Sequence, residues 1–163
     1  MSEERDAVFR RLDAVAAEAA ALARALPPAA GGLASASEGW PLVIVAYHIG
    51  LGLHRQAGFI ARALTGERPF IFAWEPTHEL NAVMARDHAT LSKDEAASAI
   101  EEGLARLRAI ASRMNEDAWS REVFEYENRR RSADVVLRRI VLPHAAEHLA
   151  SMRRTLSPET GAR

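Results

Sequence analysis

Residues 132–156, SADVVLRRIVLPHAAEHLASMRRTL, contain the pattern that decides the fold. Apolar residues recur there every three or four positions, which is the spacing of one face of an amphipathic helix. Ser132 is a suitable N-cap for that helix. His144 and His148 are four residues apart and fall on the same stripe as the apolar residues. The stretch therefore predicts a long helix over 133–156 that turns both imidazoles towards a core.

The same periodicity predicts three further long helices, at residues 3–26, 41–65 and 93–114. Ser92-Lys93-Asp94-Glu95 opens the last of these as a capping box, in which the serine and the glutamate each bond the backbone of the other. A shorter helix is expected over Thr77–His88. Gly66–Pro76 is predicted to be a crossover loop that packs aromatic residues onto the helices, and Asn115–Arg131 is predicted to be irregular.

These elements favour an all-α fold, a four-helix bundle with a long crossover connection between the second and third helices. The chain has 163 residues, of which 48% are hydrophobic and 26% charged, so it has the size and composition of one globular domain. We expect a single domain over residues 1–163, with residues 157–163 as a flexible tail.

Composition excludes several functions. A net charge of −1 gives no pull towards nucleic acid or an anionic membrane. The chain has no cysteine, which excludes disulfides, a thiol nucleophile and cysteine-ligated metal centres. The apolar stretch Pro41–Leu53 is too short to cross a bilayer, and the acidic start does not look like a signal peptide. We expect a cytoplasmic protein, and frequent alanine and arginine beside the single Lys93 are typical of a GC-rich bacterial genome.

The inward histidines suggest a metal site. His48 lies on the apolar stripe of the second helix, as His144 and His148 do on the last. Buried imidazoles need partners, and three of them from two helices would suit Zn²⁺, Ni²⁺ or Fe²⁺ with coordination positions left open. The alternative is that each ring bonds a backbone carbonyl or water, or that the pair faces a dimer seam.

Two stretches resemble the DinB-like family. Trp40-Pro41-Leu42-Val43-Ile44-Val45-Ala46-Tyr47-His48-Ile49 is similar to the start of its second helix, where a tryptophan precedes the first metal-binding histidine by about two turns. His144-Ala145-Ala146-Glu147-His148-Leu149 is similar to the H-x-x-x-H on its last helix, and Asn81 matches a further family position. The resemblance covers the whole chain. It implies a four-helix bundle with a three-His centre at His48, His144 and His148.

The resemblance also carries a functional expectation. Family members of known activity include transferases and isomerases that use bacillithiol or mycothiol, so we predict a metal-dependent, thiol-dependent S-transferase or a related transferase or hydrolase. The cofactors would be a divalent ion (Zn, Ni or Fe) and a low-molecular-weight thiol cosubstrate, and the partner a small-molecule substrate. A divalent ion lowers the pKa of a bound thiol or water. Because the chain lacks cysteine, the thiol must come from outside.

We expect five residues to line the substrate side of the site: Trp40, Tyr47, Gly52, Trp74 and Asn81. An aromatic cluster at a bundle end is, however, more often simply part of the hydrophobic core. Gly50 and Gly52 lie inside a helix, where glycine costs about 1 kcal/mol relative to alanine. At Gly52, close helix packing and room beside the metal for a substrate are equally good explanations.

Other patterns have plainer alternatives. Residues 144–148 match the protease pattern H-x-x-E-H, but too little chain follows to supply a further ligand. Glu147 is better explained as a solvated glutamate than as a base. Arg129-Arg130-Arg131 could bind an acidic substrate, although such runs are usually solvated loops. Pro143 predicts a kink just before His144.

Three functional classes remain open from the sequence. The chain could be an enzyme, a metal- or small-molecule-binding bundle without turnover, or a structural bundle whose histidines bind no metal. The alanine-rich first helix also predicts a homodimer, through an apolar strip left exposed.

Overall fold

The computed structural model describes residues 2–157, and most of them are helical. In chain order the elements are α1 (Glu3–Ala25), α2 (Leu42–Thr65), β1 (Phe70–Ile71), α3 (Trp74–Asp87), α4 (Lys93–Ala111), α5 (Glu116–Ser120), β2 (Glu122–Tyr126), β3 (Arg129–Ser132), α6 (Ala133–Val136), a π-helical turn (Leu137–Val141) and α7 (Leu142–Leu156). The mostly helical class is confirmed, and each predicted long helix is present. The expected tail at 157–163 lies outside the described residues, apart from Ser157.

Local capping explains where the long helices begin and end. The Ser2 hydroxyl accepts a hydrogen bond from the Arg5 amide at the start of α1. Ser92 and Glu95 form both halves of the predicted capping box at the start of α4. Gly66 ends α2 in the left-handed conformation at φ 68°, which glycine adopts without a Cβ clash.

The last helical stretch runs without interruption from Ala133 to Leu156, but it is not uniform. Pro143 has no N–H to donate, and its ring would clash with the carbonyl four residues earlier. The π-helical turn at Leu137–Val141 lies directly before it, with the wider bonding pattern that such turns use. The disturbance predicted at Pro143 therefore takes the form of a π turn, after which the helix continues.

Helix α2 lies at the centre of the core. It packs against α4 and α7, and α1 packs against the same two helices. Leu12, Leu53, Ile100, Leu107 and Leu137 are completely buried between them. Burial of each such side chain contributes about 1.5–3 kcal/mol, so this helical core is the main source of stability.

Two glycines bring α2 and α4 unusually close. A Cβ on Gly50 would lie 2.4 Å from the carbonyl carbon of Ala99, and a Cβ on Gly103 would lie 2.6 Å from the carbonyl oxygen of Gly50. Real Cβ atoms do not approach backbone atoms so closely. For Gly50, close helix packing is therefore the correct explanation.

The all-α prediction is too narrow, because the chain also forms a three-stranded sheet in the order β1-β2-β3. β1 pairs with β2 in parallel and β2 pairs with β3 antiparallel. Part of the predicted crossover loop is thus a strand, and the segment predicted to be irregular, 115–131, contains α5 and a hairpin. Glu127 and Asn128 turn the hairpin with φ of 50° and 59°, as a two-residue turn of this kind requires.

Helix α3 and the sheet lie beside the central helices and close one side of a cavity. α3 begins earlier than the predicted Thr77–His88, and Met84 is its one buried residue. Among residues 2–157, no helix is both long and apolar enough to span a bilayer.

Candidate metal centre and cavity

The three histidines singled out in the sequence come together in the structure. His48 on α2 and His144 and His148 on α7 each offer one ring nitrogen, and these nitrogens lie within 4.8 Å of one another. The Nε2 atoms of His48 and His144 are 3.2 Å apart. The other histidines, His54, His78 and His88, are not part of this group.

Gly52 makes room for one of the three rings. A Cβ at this position would lie 2.3 Å from Cε1 of His144. The space next to Gly52 is thus filled by the imidazole of His144 as α2 and α7 pack together. This contact supports close helix packing as the explanation of Gly52, since the residue lets the ring of His144 pack directly against α2.

Glu38 holds the third ring and was missed in the sequence. Its Oε1 accepts a hydrogen bond of 2.8 Å from Nδ1 of His148, and its Oε2 accepts bonds from the hydroxyls of Ser35 and Ser151. Because a carboxylate only accepts, Nδ1 of His148 carries a proton, and in the neutral form of the ring Nε2 then has the lone pair that can bind a metal. The one sequence signal was an acidic residue two positions before Trp40, in a loop that is otherwise small and polar.

His48 and His144 pass a geometric test for a shared ion. Two nitrogens on one tetrahedral zinc, each at ~2.0–2.1 Å, stand ~3.3 Å apart, and the observed distance between the Nε2 atoms of His48 and His144 is 3.2 Å. His148 offers its nitrogen within 4.8 Å of both. A set of three imidazoles suits Zn²⁺, Ni²⁺ or Fe²⁺ and leaves positions open for further ligands.

In metal sites, the second ring nitrogen of a ligating histidine usually bonds a carbonyl or carboxylate. This holds for His148. Within the described residues, the Nδ1 atoms of His48 and His144 are buried and have no hydrogen-bond partner. Their one hydrogen-bond contact within the described residues joins their own Nε2 atoms, so neither ring bonds a group outside the cluster.

Burial also fixes the charge of the ligand rings. It lowers the pKa of His48 to about 3, with smaller contributions from His148 and Arg55, and it lowers the pKa of His144 well below the ordinary value. Burial alone would raise the pKa of Glu38, but hydrogen bonds from Ser151, Ser35 and His148 lower it overall. At neutral pH the site thus presents two neutral imidazoles and, behind the third, an ionised carboxylate, which is the state that binds a cation.

The histidines lie in the wall of a cavity of about 950 Å³. An aromatic wall faces it, defined by Phe59, Phe70, Phe72, Trp74, Phe124 and Tyr126. Phe59 and Phe70 stack at 4.4 Å between ring centroids, and Phe72 and Phe124 lie 5.6 Å apart. The cavity is large enough for two small molecules and has one apolar side.

Four of the five predicted substrate-side residues line this cavity: Trp40, Gly52, Trp74 and Asn81. Trp40 meets the ring of His48 edge-on, with centroids 5.3 Å apart, and the indole N–H of Trp74 donates to the hydroxyl of Tyr126. Tyr47 lies apart from the lining and stacks on His88 at 4.5 Å.

Several lining residues were not anticipated, and the hairpin supplies some of them. Phe124 pairs with Arg131 across β2 and β3, so both side chains share the face of the sheet that borders the cavity. Of the arginine run, Arg131 lines the cavity, whereas Arg130 on the opposite face pairs with Glu122 and Glu125. The β-branched and aromatic residues among 123–126 were the available signal for this strand.

Arg55, Gln56 and Arg139 also line the cavity, and Glu147 is an exposed residue of its lining. Arg55 lies two turns beyond His48 on α2, so the sequence could have placed it on the same face. Arg139 is one of the residues in the π-helical turn, whose position no sequence pattern indicated.

No protein-family model matches the sequence, and no curated protein matches it. Among solved structures, the mycothiol-dependent maleylpyruvate isomerase is similar, with a TM-score of 0.74 and 21% identity over 93% of this chain and 63% of that chain. A histidine-to-alanine variant of that enzyme gives a TM-score of 0.73 and 20% identity over the same shares. The chain thus spans less than two thirds of the isomerase's length. The predicted resemblance to this group of thiol-dependent enzymes is confirmed at the level of the fold.

Proposed function

We propose that the chain is a metal-dependent enzyme that activates a low-molecular-weight thiol for reaction with a small-molecule substrate. The observation that best supports this proposal is the cluster of His48, His144 and His148 in the wall of a cavity of about 950 Å³. The fold that the chain shares with a mycothiol-dependent isomerase supports the thiol as cosubstrate.

The ligand residues have separable roles in this proposal. His48, His144 and His148 would hold one divalent ion, and Glu38 would orient His148 by keeping its proton on Nδ1. A bound divalent ion supplies one piece of chemistry, because it lowers the pKa of a thiol so that thiolate is available near neutral pH. Trp40 restricts the position of the His48 ring through its edge-on contact.

The rest of the cavity would position the two reactants. The aromatic wall gives a non-polar surface against which a substrate can pack and from which water is excluded. The chain has no cysteine, so every thiol group in the reaction has to be supplied by the cosubstrate. Glu147 lines the cavity on α7, the helix that carries His144 and His148, and is available as a proton acceptor.

An assay of thiol-dependent substrate conversion tests the proposal. Metal-loaded protein would be incubated with mycothiol, bacillithiol or glutathione and a panel of electrophiles that includes maleylpyruvate. We expect thiol-dependent conversion that chelation abolishes and that His148→Ala loses, while the exposed His54→Ala retains it. Metal binding without conversion of any pair would contradict the proposal and favour the non-catalytic metal-binding alternative.

We extend the proposal to the architecture, as a four-helix bundle with a long crossover that forms one domain. The homodimer and the cytoplasmic location stay predictions. Light scattering that gives a particle of 17.9 kDa, the mass of one chain, would contradict the homodimer.

A further inference from the structure

The cavity carries an excess of positive charge that the metal site does not use. Three guanidinium groups line it, those of Arg55, Arg131 and Arg139. Among residues 2–157, none of the three forms an ion pair. Glu38 is one of two carboxylates in the lining, and it is already engaged by His148, Ser35 and Ser151.

Arg55 is half-buried, as is Arg131 in the same lining. Its one hydrogen bond within the described residues goes to the amide oxygen of Asn81, at 3.4 Å. By contrast, the more deeply buried Arg5 is held by the carboxylates of Glu116 and Asp134. A guanidinium that loses water without gaining a carboxylate is costly, so Arg55 is suited to bind an anionic ligand.

Geometry sets where such a ligand would lie. Along α2, His48, Gly52, Arg55 and Phe59 all line the cavity, and at ~1.5 Å per residue Arg55 is ~10 Å beyond His48 and ~6 Å before Phe59. Arg55 thus separates the histidine cluster from the aromatic wall. An anion held there would have the metal site on one side and apolar rings on the other.

We propose that Arg55 is a substrate-binding residue that selects organic carboxylates with an apolar body. A guanidinium presents paired N–H donors that match a carboxylate, and the aromatic wall accepts the apolar part. Arg131 and Arg139 add positive charge at the same cavity. This inference deepens the proposed function by naming the class of its substrate, and it rests on that function only for the reaction, not for binding.

The test uses the full chain after chelation of metal, so that a carboxylate cannot bind an ion instead of Arg55. Calorimetry would compare 3-phenylpropionate with its neutral amide, 3-phenylpropanamide, and with inorganic phosphate. We expect the acid to bind about 10-fold or more tightly than the amide, because a charge-assisted bond to arginine is worth that much. Phosphate, which lacks the apolar body, should bind more weakly than the acid.

Three variants sharpen the comparison. Arg55→Met should bind acid and amide equally, Arg55→Lys should keep a reduced preference for the acid, and Arg106→Met, at an exposed position on α4, should behave as wild type. Equal binding of acid and amide by wild type would overturn the inference, and so would an undiminished preference for the acid in Arg55→Met. Phosphate binding as tight as the acid would overturn the choice of organic carboxylates.

The outcome is separable from that of the proposed function. Selective binding of the acid without any thiol-dependent turnover would sink the enzyme proposal and leave the assignment of Arg55 intact. Thiol-dependent turnover of neutral electrophiles, with equal binding of the acid and the amide, would support the enzyme proposal and overturn the assignment of Arg55.

Discussion

The two sides of helix α2 differ in what they pack against. Towards α4 the helix packs backbone against backbone at Gly50 and Gly103. Towards α7 it packs against the ring of His144 at Gly52. Four buried side-chain atoms lack a hydrogen-bond partner within residues 2–157, and three of them, on His48, Gln56 and His144, belong to the cavity. Within the described residues, the unpartnered polar atoms of α2 thus belong to residues on its cavity side, whereas its α4 side is a close backbone seam.

Substitution of the two glycines by alanine separates these roles. Gly50→Ala should destabilise the protein by about 1–3 kcal/mol, because its Cβ would meet immobile backbone of α4 and overpack the seam. Chemical denaturation measures the loss. Metal affinity per folded molecule should stay unchanged, and a variant as stable as wild type would show that the helices are not held this closely.

Gly52→Ala should have the opposite result. The new Cβ would meet the ring of His144, which can rotate away, while alanine improves helix propensity by about 1 kcal/mol. We expect little change in the free energy of unfolding of the metal-free protein and a clear loss of metal affinity, measured by competition with a chromogenic chelator. Retained affinity would show that His144 is not a ligand in the geometry described.

Glu38→Gln tests the support behind the metal site. The amide no longer fixes the proton of His148 on Nδ1 through a charged acceptor, and losses of this kind reduce metal affinity about 10–100-fold. The same titration measures the effect. As a control, Glu147→Gln, at an exposed position on α7, should bind metal as wild type does.

The acid stability of the metal-free protein should report the burial of His48. Its pKa is about 3 when folded, against about 6.5 in an unfolded chain, so between these values the unfolded chain binds a proton that the folded one does not. Stability is therefore complete above the unfolded pKa and declines as the pH falls from about 6.5 towards 3. His48→Ala should reduce the slope of the free energy of unfolding against pH by the equivalent of up to one bound proton, and His54→Ala should leave the slope unchanged. Denaturation curves at several pH values would contradict the account if both variants kept the wild-type slope.

We expect the smallest effect on stability from substitutions in the turn of the hairpin. Glu127 and Asn128 both have positive φ, for which Asn-Gly is the favoured pair. Replacing them together by Asn-Gly should raise the melting temperature slightly without changing metal binding. A lower melting temperature would argue against this turn geometry.

The parts that the sequence predicts are those fixed by local pattern. Ser92 and Glu95 set a helix start within four residues, and the stripe through His144 and His148 shows which way the rings face. The sheet was missed because β1 pairs with a strand more than 50 residues further along the chain, a contact that no local pattern encodes. The hairpin turn also lacks the glycine that usually marks it.

The histidine cluster was predictable in its members and not in its surroundings. Three inward histidines on two helical stripes were enough to predict that they come together. Glu38 could not be found, because its loop has no period and its role depends on how that loop folds against α7. Pro143 indicated a disturbed helix but not that a π turn would absorb it.

The central claim is that His48, His144 and His148 bind one divalent ion, and equilibrium dialysis with Zn²⁺ and Ni²⁺ tests it most directly. Protein without an affinity tag should bind one ion per chain. Alanine at any of the three positions should abolish most of this binding, and alanine at His54, His78 or His88 should not. Wild-type protein that binds well under one ion per chain, or equal losses from the two sets of variants, would contradict the account.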